Sequence, residues 1–549
     1  MEETPSIQPI GGEARVRVLL EDFTPYDRCL HWRIHDAYFA ARGLSAWTQG
    51  EIPHLSTGNF ALAQQHADLL CGVLDGLAAD GGLPERVDVL EIGSGSGDSA
   101  ANFLVAMEAP ERAHHAARVR YVLSDYSKRS VEEALARPSL ECHVARGRLL
   151  PALFDVRTPD VVRSLDGEAL ELRPFAVIAS YVCCVTPSKS FRREHGTVAL
   201  TELWVKTEAD LFEEHMASTP ERTLARLLRD PLKQNLLRDL VVRHDWRPVD
   251  PEAALPTHAG AIARLLDGMD AATFEWPYAF LDCLAALARR LHPEGFVLVN
   301  DYGAARRAEL GGFKDRQFQN YGNTVNHPVN FAVFDAFAPD AGLELTRTQS
   351  PLRSIHVAAF TRSPAALARL KPVFERTHVG REDGEDVVDF SSAAKLYLDN
   401  REWSRAIRLL TRCTRLDPLN GEIWLRLAEA NIELGEHATA EEHARAGMAA
   451  DRDQRQDWEF LLGRITCLLE RRQEAISWYR ASLRRDDHPV THTNLAVLYE
   501  EVGDLPKALR SLRRALALAP SYTRASERLE HLKGVWWKRL EAQADEAHD

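Results

Sequence analysis

Two groups of residues in this sequence have the types and spacing to do chemistry. The first is Glu91-Ile-Gly93-Ser94-Gly95-Ser-Gly97, followed by Asp125. Glycines at 93, 95 and 97 lack a Cβ, so the backbone there can turn tightly and approach a ligand closely. A helix that starts directly after them offers unpaired N–H groups to that ligand. This is a nucleotide-type site. The third glycine comes one residue too early for G-x-G-x-x-G, which argues against a pyrophosphate fingerprint. The second group is Tyr181, then Asn300-Asp301-Tyr302, then the polar aromatic run Phe318 to Pro328 with His327. An acid and a histidine can take a proton from a nucleophile near neutral pH. Asp301 and Tyr302 end an apolar strand, which places groups more rigidly than a loop does. The reaction is therefore expected to depend on Asp301 and Tyr302 more than on His327.

These residues need a sheet to hold them. Val87–Ile92 reads as a strand, the glycines as a turn, and Asp98 to Glu108 as a helix. Val119–Ser124 is a second strand with Asp125 at its tip. Phe175–Ser180, Gly295–Asn300 and Ser354–Phe360 are further strands. Alternation of such strands with helical patterns predicts an α/β domain at 81–365, preceded by a helical segment at 1–80. Residues 201–291 hold mainly helical pattern and are read as a helical insertion. The charged stretch inside 366–389 reads as a linker.

After the linker the sequence repeats. Small residues at Ala406, Ala440, Ala475 and Ala508 recur at spacings of 34, 35 and 33, and matching columns run twelve residues earlier and seven later. Small residues at these offsets let antiparallel helices cross closely. The pattern resembles the tetratricopeptide repeat. It predicts an all-α solenoid of four repeats plus a cap helix over 390–540.

In the front domain an acidic residue two before the first glycine, Glu91, resembles the pattern of S-adenosylmethionine-dependent methyltransferases. The resemblance implies a Rossmann-like class I methyltransferase fold with S-adenosyl-L-methionine as cofactor. Glu91 would accept from the methionine ammonium and Asp125 from both ribose hydroxyls, with Gly93, Ser94, Gly95, Gly97, Tyr126 and Ser127 around them. A narrower resemblance rests on four segments: Asp125-Tyr-Ser127, Ala179 to Phe191, Gly295 to Gly303 with its Asp-Tyr-Gly, and His54 to Phe60. In that order they resemble the landmarks of the MidA-like family, whose mitochondrial members methylate arginine on a complex I subunit. That family has acidic residues where this chain has Tyr181 and Cys184, so arginine specificity is not carried over. Cys183-Cys184 is either a pair of small core residues or a reactive thiol. Ser56 to Asn59 is a segment that could close over the methyl donor.

Composition bounds the rest. The 549 residues are 45% hydrophobic and 27% charged, typical of globular domains. Almost all of the net charge of −14 falls before Phe390. An acidic chain binds nucleic acid and anionic membrane poorly, so neither is an expected partner. There is no apolar run long enough for a membrane span, no secretory signal pattern, and no cysteine or histidine spacing of the zinc type. A cytoplasmic location with reduced thiols and no metal is expected.

Methyl transfer asks the protein to align an unprotonated nucleophile and exclude water. The expected function is methyl transfer to a peptide or protein acceptor recognised with help from the repeats. Two alternatives stay open. One is a small-molecule methyltransferase that uses its repeats to dock or to form a homodimer. The other is an inactive methyltransferase-fold scaffold.

Overall fold

The computed structural model describes residues 15–43, 58–196, 199–212, 237, 240–312, 319–321 and 323–546. They divide into two units, Met1–Glu385 and Asp386–Asp549.

The first unit is organised by a sheet whose main strands are β1 (Val87–Ile92), β2 (Val119–Asp125), β3 (Leu149–Leu153), β4 (Ala176–Ser180), β5 (Phe296–Ala304), β6 (Glu344–Arg347) and β7 (Ile355–Thr361). Their spatial order is β6-β7-β5-β4-β1-β2-β3, and a short hairpin extends the β3 edge. The pairs β1/β2, β2/β3, β1/β4 and β4/β5 are parallel; β7 is antiparallel to β5. Both faces of the sheet are covered. Val89, Leu123, Ile178 and Leu298 point into one apolar core, and Leu90, Val122, Val177 and Val299 into another. That period of two explains why the strands read as unbroken apolar runs. The order reverses between β1 and β4, which puts a crevice at the carboxyl ends of those strands.

The rest of the unit departs from the sequence reading in three places. The described part of the helical insertion expected at about 201–291 is not wholly helical. Strands Leu200–Phe212 and Leu240–Val249 pair antiparallel there, and Ala272–Trp276 pairs with Lys189–Arg193. Leu203, Val205 and Thr207 are buried while Trp204 and Lys206 between them are less so, a period of two built from β-formers. Helices Ala259–Leu266 and Tyr278–Arg290 are present; residues 213–236 lie outside the described residues. The segment 1–80 is not wholly helical either, because Arg15–Pro25 adds a strand beside Leu200–Phe212. Its helices are Leu30–Arg42 and Phe60–Ala79. Finally, much of the linker expected at 366–389 is helix Pro364–His378. Its N-cap is Ser363, and Leu370, Val373 and Phe374 enter the core of the first unit. Charge at the end of that stretch hid an apolar stripe at its start.

The second unit is a run of helices: Gly384–Asp399 with Trp403–Leu416, Gly421–Glu433 with His437–Ala450, Trp458–Leu468 with Arg472–Arg485, Pro489–Glu501 with Leu505–Leu518, then Thr523–Glu546. Ala406, Ala440, Ala475 and Ala508 are all fully buried. The small residues mark true close approaches. A Cβ on Gly463 would stand 2.8 Å from the Tyr479 ring, and one on Gly447 would overlap Trp458.

Candidate functional site

Gly93, Gly95 and Gly97 have φ of 68°, 50° and 75°, the left-handed region in which a side chain is strained. The turn is pinned from both sides. Ser94 N–H donates to the Ser124 carbonyl (3.0 Å) and Gly97 N–H to the Ser94 carbonyl (2.8 Å). A Cβ on Gly97 would meet Leu140 at 3.1 Å and Ala134 at 3.2 Å. Arg137, which sequence reasoning missed, braces the loop by donating to the Ser96 carbonyl and pairing with Asp98 at 2.6 Å. A lone arginine so far downstream carried no signal of that contact.

Asp125 sits at the β2 tip and is 5% exposed. Its Oδ2 accepts from Gly95 N–H (3.3 Å) and its Oδ1 from Ser127 N–H (2.9 Å). Burial pushes its carboxyl up to about 6, partly offset by those N–H groups. The carboxylate is thus tied directly to the glycine loop. Ser127 serves as N-cap of helix Lys128–Leu135, its hydroxyl accepting from Ser130 N–H at 3.2 Å. Its side chain therefore works for the helix. Tyr126 is half-exposed, edge-on to Phe39 at 6.5 Å, with the Arg157 guanidinium 5.8 Å from its ring centre. Arg157 is held by Asp155 (3.0 Å) and Asp36 (2.9 Å). This aromatic corner beside Asp125 needs residues 36, 39 and 157 together, which no local pattern shows.

Glu91 is 3% exposed, and its Oε2 has no hydrogen-bond partner. Burial pushes its carboxyl up to about 8, opposed by hydrogen bonding to Ser99 and Tyr121 and reinforced by Asp125 and Asp98. Ser94 Oγ is likewise buried and unpartnered. A buried carboxylate with an unused oxygen is costly unless a cation completes it. The donor set therefore fits S-adenosylmethionine: a cation acceptor in Glu91, a hydroxyl acceptor in Asp125, and a loop without Cβ atoms between them.

At the β4 and β5 tips the structure brings the second group together but turns two members inward. Asp301 is fully buried. Its Oδ2 accepts from Cys184 N–H (3.0 Å) and its Oδ1 from Tyr302 N–H (2.9 Å). Burial pushes its carboxyl up to about 7. The acid expected to serve the reaction instead holds the turn after β4, because that turn exposes backbone donors to it. His327 is also fully buried; its N–H donates to the Cys184 carbonyl (3.0 Å) and its Nε2 to the Thr186 carbonyl (3.1 Å). It clamps the same turn and does not reach the crevice as a base through Nε2. Cys183 and Cys184 are fully buried, and burial raises both thiols well above their ordinary value. They are core residues, not nucleophiles. Tyr181 and Tyr302 remain at the strand ends, half-buried, with ring centres 5.9 Å apart and planes 29° apart. Tyr181 adopts φ 55°, unusual for a bulky residue. Ser56 and Thr57 lie outside the described residues. Asn59 caps helix Phe60–Ala79, accepting from Leu62 N–H at 2.9 Å.

Residues 77–329 match the family model described as "Putative S-adenosyl-L-methionine-dependent methyltransferase". The front unit is similar to this family, and the chain is an S-adenosyl-L-methionine-dependent methyltransferase. Its cofactor is S-adenosyl-L-methionine. Residues 392–455 and 491–526 match tetratricopeptide repeat models. Among solved structures, a Burkholderia thailandensis protein bound to S-adenosyl-homocysteine is similar at 16% identity over 63% of this chain and 91% of that one, TM-score 0.37. A tetratricopeptide repeat protein of Thermus thermophilus is similar at 20% identity over 31% of this chain and 90% of that one, TM-score 0.24. No curated protein matches the chain. No helix among the described residues is long and apolar enough to cross a membrane.

Proposed function

We propose that this methyltransferase modifies a peptide or protein, recognised with help from its repeats. The observation that carries the reading is the union, in one chain, of a methyltransferase unit and a solenoid whose stacked helix pairs form the kind of surface that holds extended segments. S-adenosylmethionine supplies an activated methyl group. Glu91 holds the ammonium of its amino-acid end, and Asp125, locked by Gly95 and Ser127, accepts from the ribose hydroxyls. Gly93, Gly95 and Gly97 let the backbone come close. Tyr126 offers a flat apolar face beside Asp125. Tyr181 and Tyr302 border the acceptor side and exclude water. Asp301 and His327 act through the turn they hold, as positioning residues. With Asp301 committed to that turn, its carboxylate is not there to hold a guanidinium, which disfavours an arginine acceptor.

Calorimetry with S-adenosyl-homocysteine tests the cofactor half. Binding by the intact protein and its loss in Gly95→Arg and Asp125→Ala are expected. Incubating a cell lysate with the enzyme and labelled methyl donor tests the acceptor half. Label in protein, reduced when the repeats are disrupted, supports a protein substrate. Label confined to small molecules overturns it and leaves docking or dimerisation as the repeats' role.

A further inference from the structure

One hydroxyl at the crevice is oriented by two buried groups that nothing above employs. Ser180 ends β4, lies opposite Asn300 of β5 in the parallel register, and is partly exposed. Asn300 is fully buried, and its Nδ2 donates both to Ser180 Oγ (3.1 Å) and to His66 Nε2 (3.1 Å). His66, 2% exposed, reaches over from helix Phe60–Ala79; its ring stacks on His378, which stacks on Phe374. Because Asn300 fills a lone pair of Ser180 Oγ, the Ser180 hydroxyl hydrogen is left to be donated elsewhere. None of the described residues takes it. Burial holds His66 at about 4, so this network is uncharged at neutral pH.

The register places Ser180 with respect to Glu91. Ile92 pairs with Ala179 and Glu91 with Ile178. Residues 178 and 180 share a face, and so do Glu91 and Val89, whose neighbours Ile178 and Leu298 line one core. Ser180 is thus on the adjacent strand, on Glu91's face, two residues nearer the carboxyl edge. At strand spacings of about 4.8 Å and rises of about 3.3 Å per residue, the two Cα atoms are roughly 8 Å apart. Both side chains rise from the same face, so an amino-acid head group, about 3 Å from nitrogen to carboxylate oxygen, can bridge them through two hydrogen bonds of about 2.8 Å.

We infer that Ser180 binds the carboxylate of the methyl donor's amino-acid end while Glu91 binds its ammonium, and that Asn300 and His66 are positioning residues for the Ser180 hydroxyl. The inference rests on the cofactor reading above. A neutral donor suits a zwitterion whose charge is already balanced by its own ammonium.

The experiment compares S-adenosyl-homocysteine with 5′-methylthioadenosine, which lacks the amino-acid end, by calorimetry on the full-length chain. Ser180→Ala is expected to weaken the first about tenfold and leave the second unchanged. Asn300→Leu and His66→Phe are expected to weaken the first about threefold with the same selectivity, whatever they do to melting temperature. Equal weakening of both ligands, or no weakening by Ser180→Ala, overturns the assignment. Failure of the wild-type protein to bind either ligand refutes the cofactor reading itself. Should Asn300→Leu not fold, Asn300→Asp, which keeps size and one acceptor but cannot donate to Ser180 when ionised, decides by the same ratio.

Discussion

Glu91 and Asp301 are both acids near the carboxyl ends of parallel strands, both almost without solvent contact, and both pushed upward in pKa by burial. They differ in what their oxygens do. Asp301 spends Oδ1 and Oδ2 on backbone N–H groups of Tyr302 and Cys184, whereas Glu91 keeps Oε2 unpartnered. A perturbed buried carboxyl with an oxygen that no described group occupies is the stronger functional candidate. Between these two acids that points to Glu91, and the Asp301 side chain braces the β4–β5 tips that carry Ser180, Tyr181 and Tyr302.

The contrast can be broken most sharply at Asp125. Asp125→Ala removes the acceptor tied to the glycine loop and is expected to weaken S-adenosyl-homocysteine by about a hundredfold or more in calorimetry, about 3 kcal/mol. A loss under about fivefold would put the ribose elsewhere. Next comes Asp301→Ala, which strands two buried N–H donors. It is expected to cost about 2–3 kcal/mol of stability by denaturant unfolding, with cofactor affinity held within about threefold. Normal stability with lost turnover would return Asp301 to the chemistry.

Glu91→Gln sharpens the comparison through pH. The folded protein holds the Glu91 proton up to about 8, against about 4.5 for the free side chain. The folded state therefore binds more protons than the unfolded one across that window, and wild-type stability falls as pH rises through it. Glutamine does not titrate. The variant should gain in melting temperature over wild type between about pH 5 and 8 while binding S-adenosyl-homocysteine about thirtyfold more weakly, about 2 kcal/mol. A variant that melts lower at about pH 8 would show Glu91 to be a structural acid like Asp301. The smallest effect lies in the repeats. Gly447→Ala pushes a methyl into Trp458 and Trp424 and should cost about 1 kcal/mol or somewhat more in the second unit, leaving cofactor affinity untouched.

What was legible in the sequence was whatever is written locally. Glu91 to Gly97, a strand before and a helix after, is a contiguous device whose glycines have no other way to turn. The repeats announce themselves because one spacing recurs along the chain and each helix contacts mainly its neighbours. The antiparallel strands Leu200–Phe212 and Leu240–Val249 escape a sequence reading because leucine-rich runs nearby satisfy helical period as well. The helix at 364–378 was missed because charge follows it. The candidate site divides along the same line. The types of Asp301, His327 and Cys184 could be read, but their directions could not, since whether a carboxylate faces a ligand or a backbone N–H depends on a turn 117 residues away in the chain. Arg137 on the loop, Arg157 over Tyr126, and His66 through Asn300 to Ser180 likewise exist only once distant segments meet. Local sequence determined the glycine turn, the alternation of strands and the helical repeat, because short-range sterics and periodic burial encode them. Tertiary structure alone decided which buried acid keeps a free oxygen, because that is settled by the donors that packing brings to it.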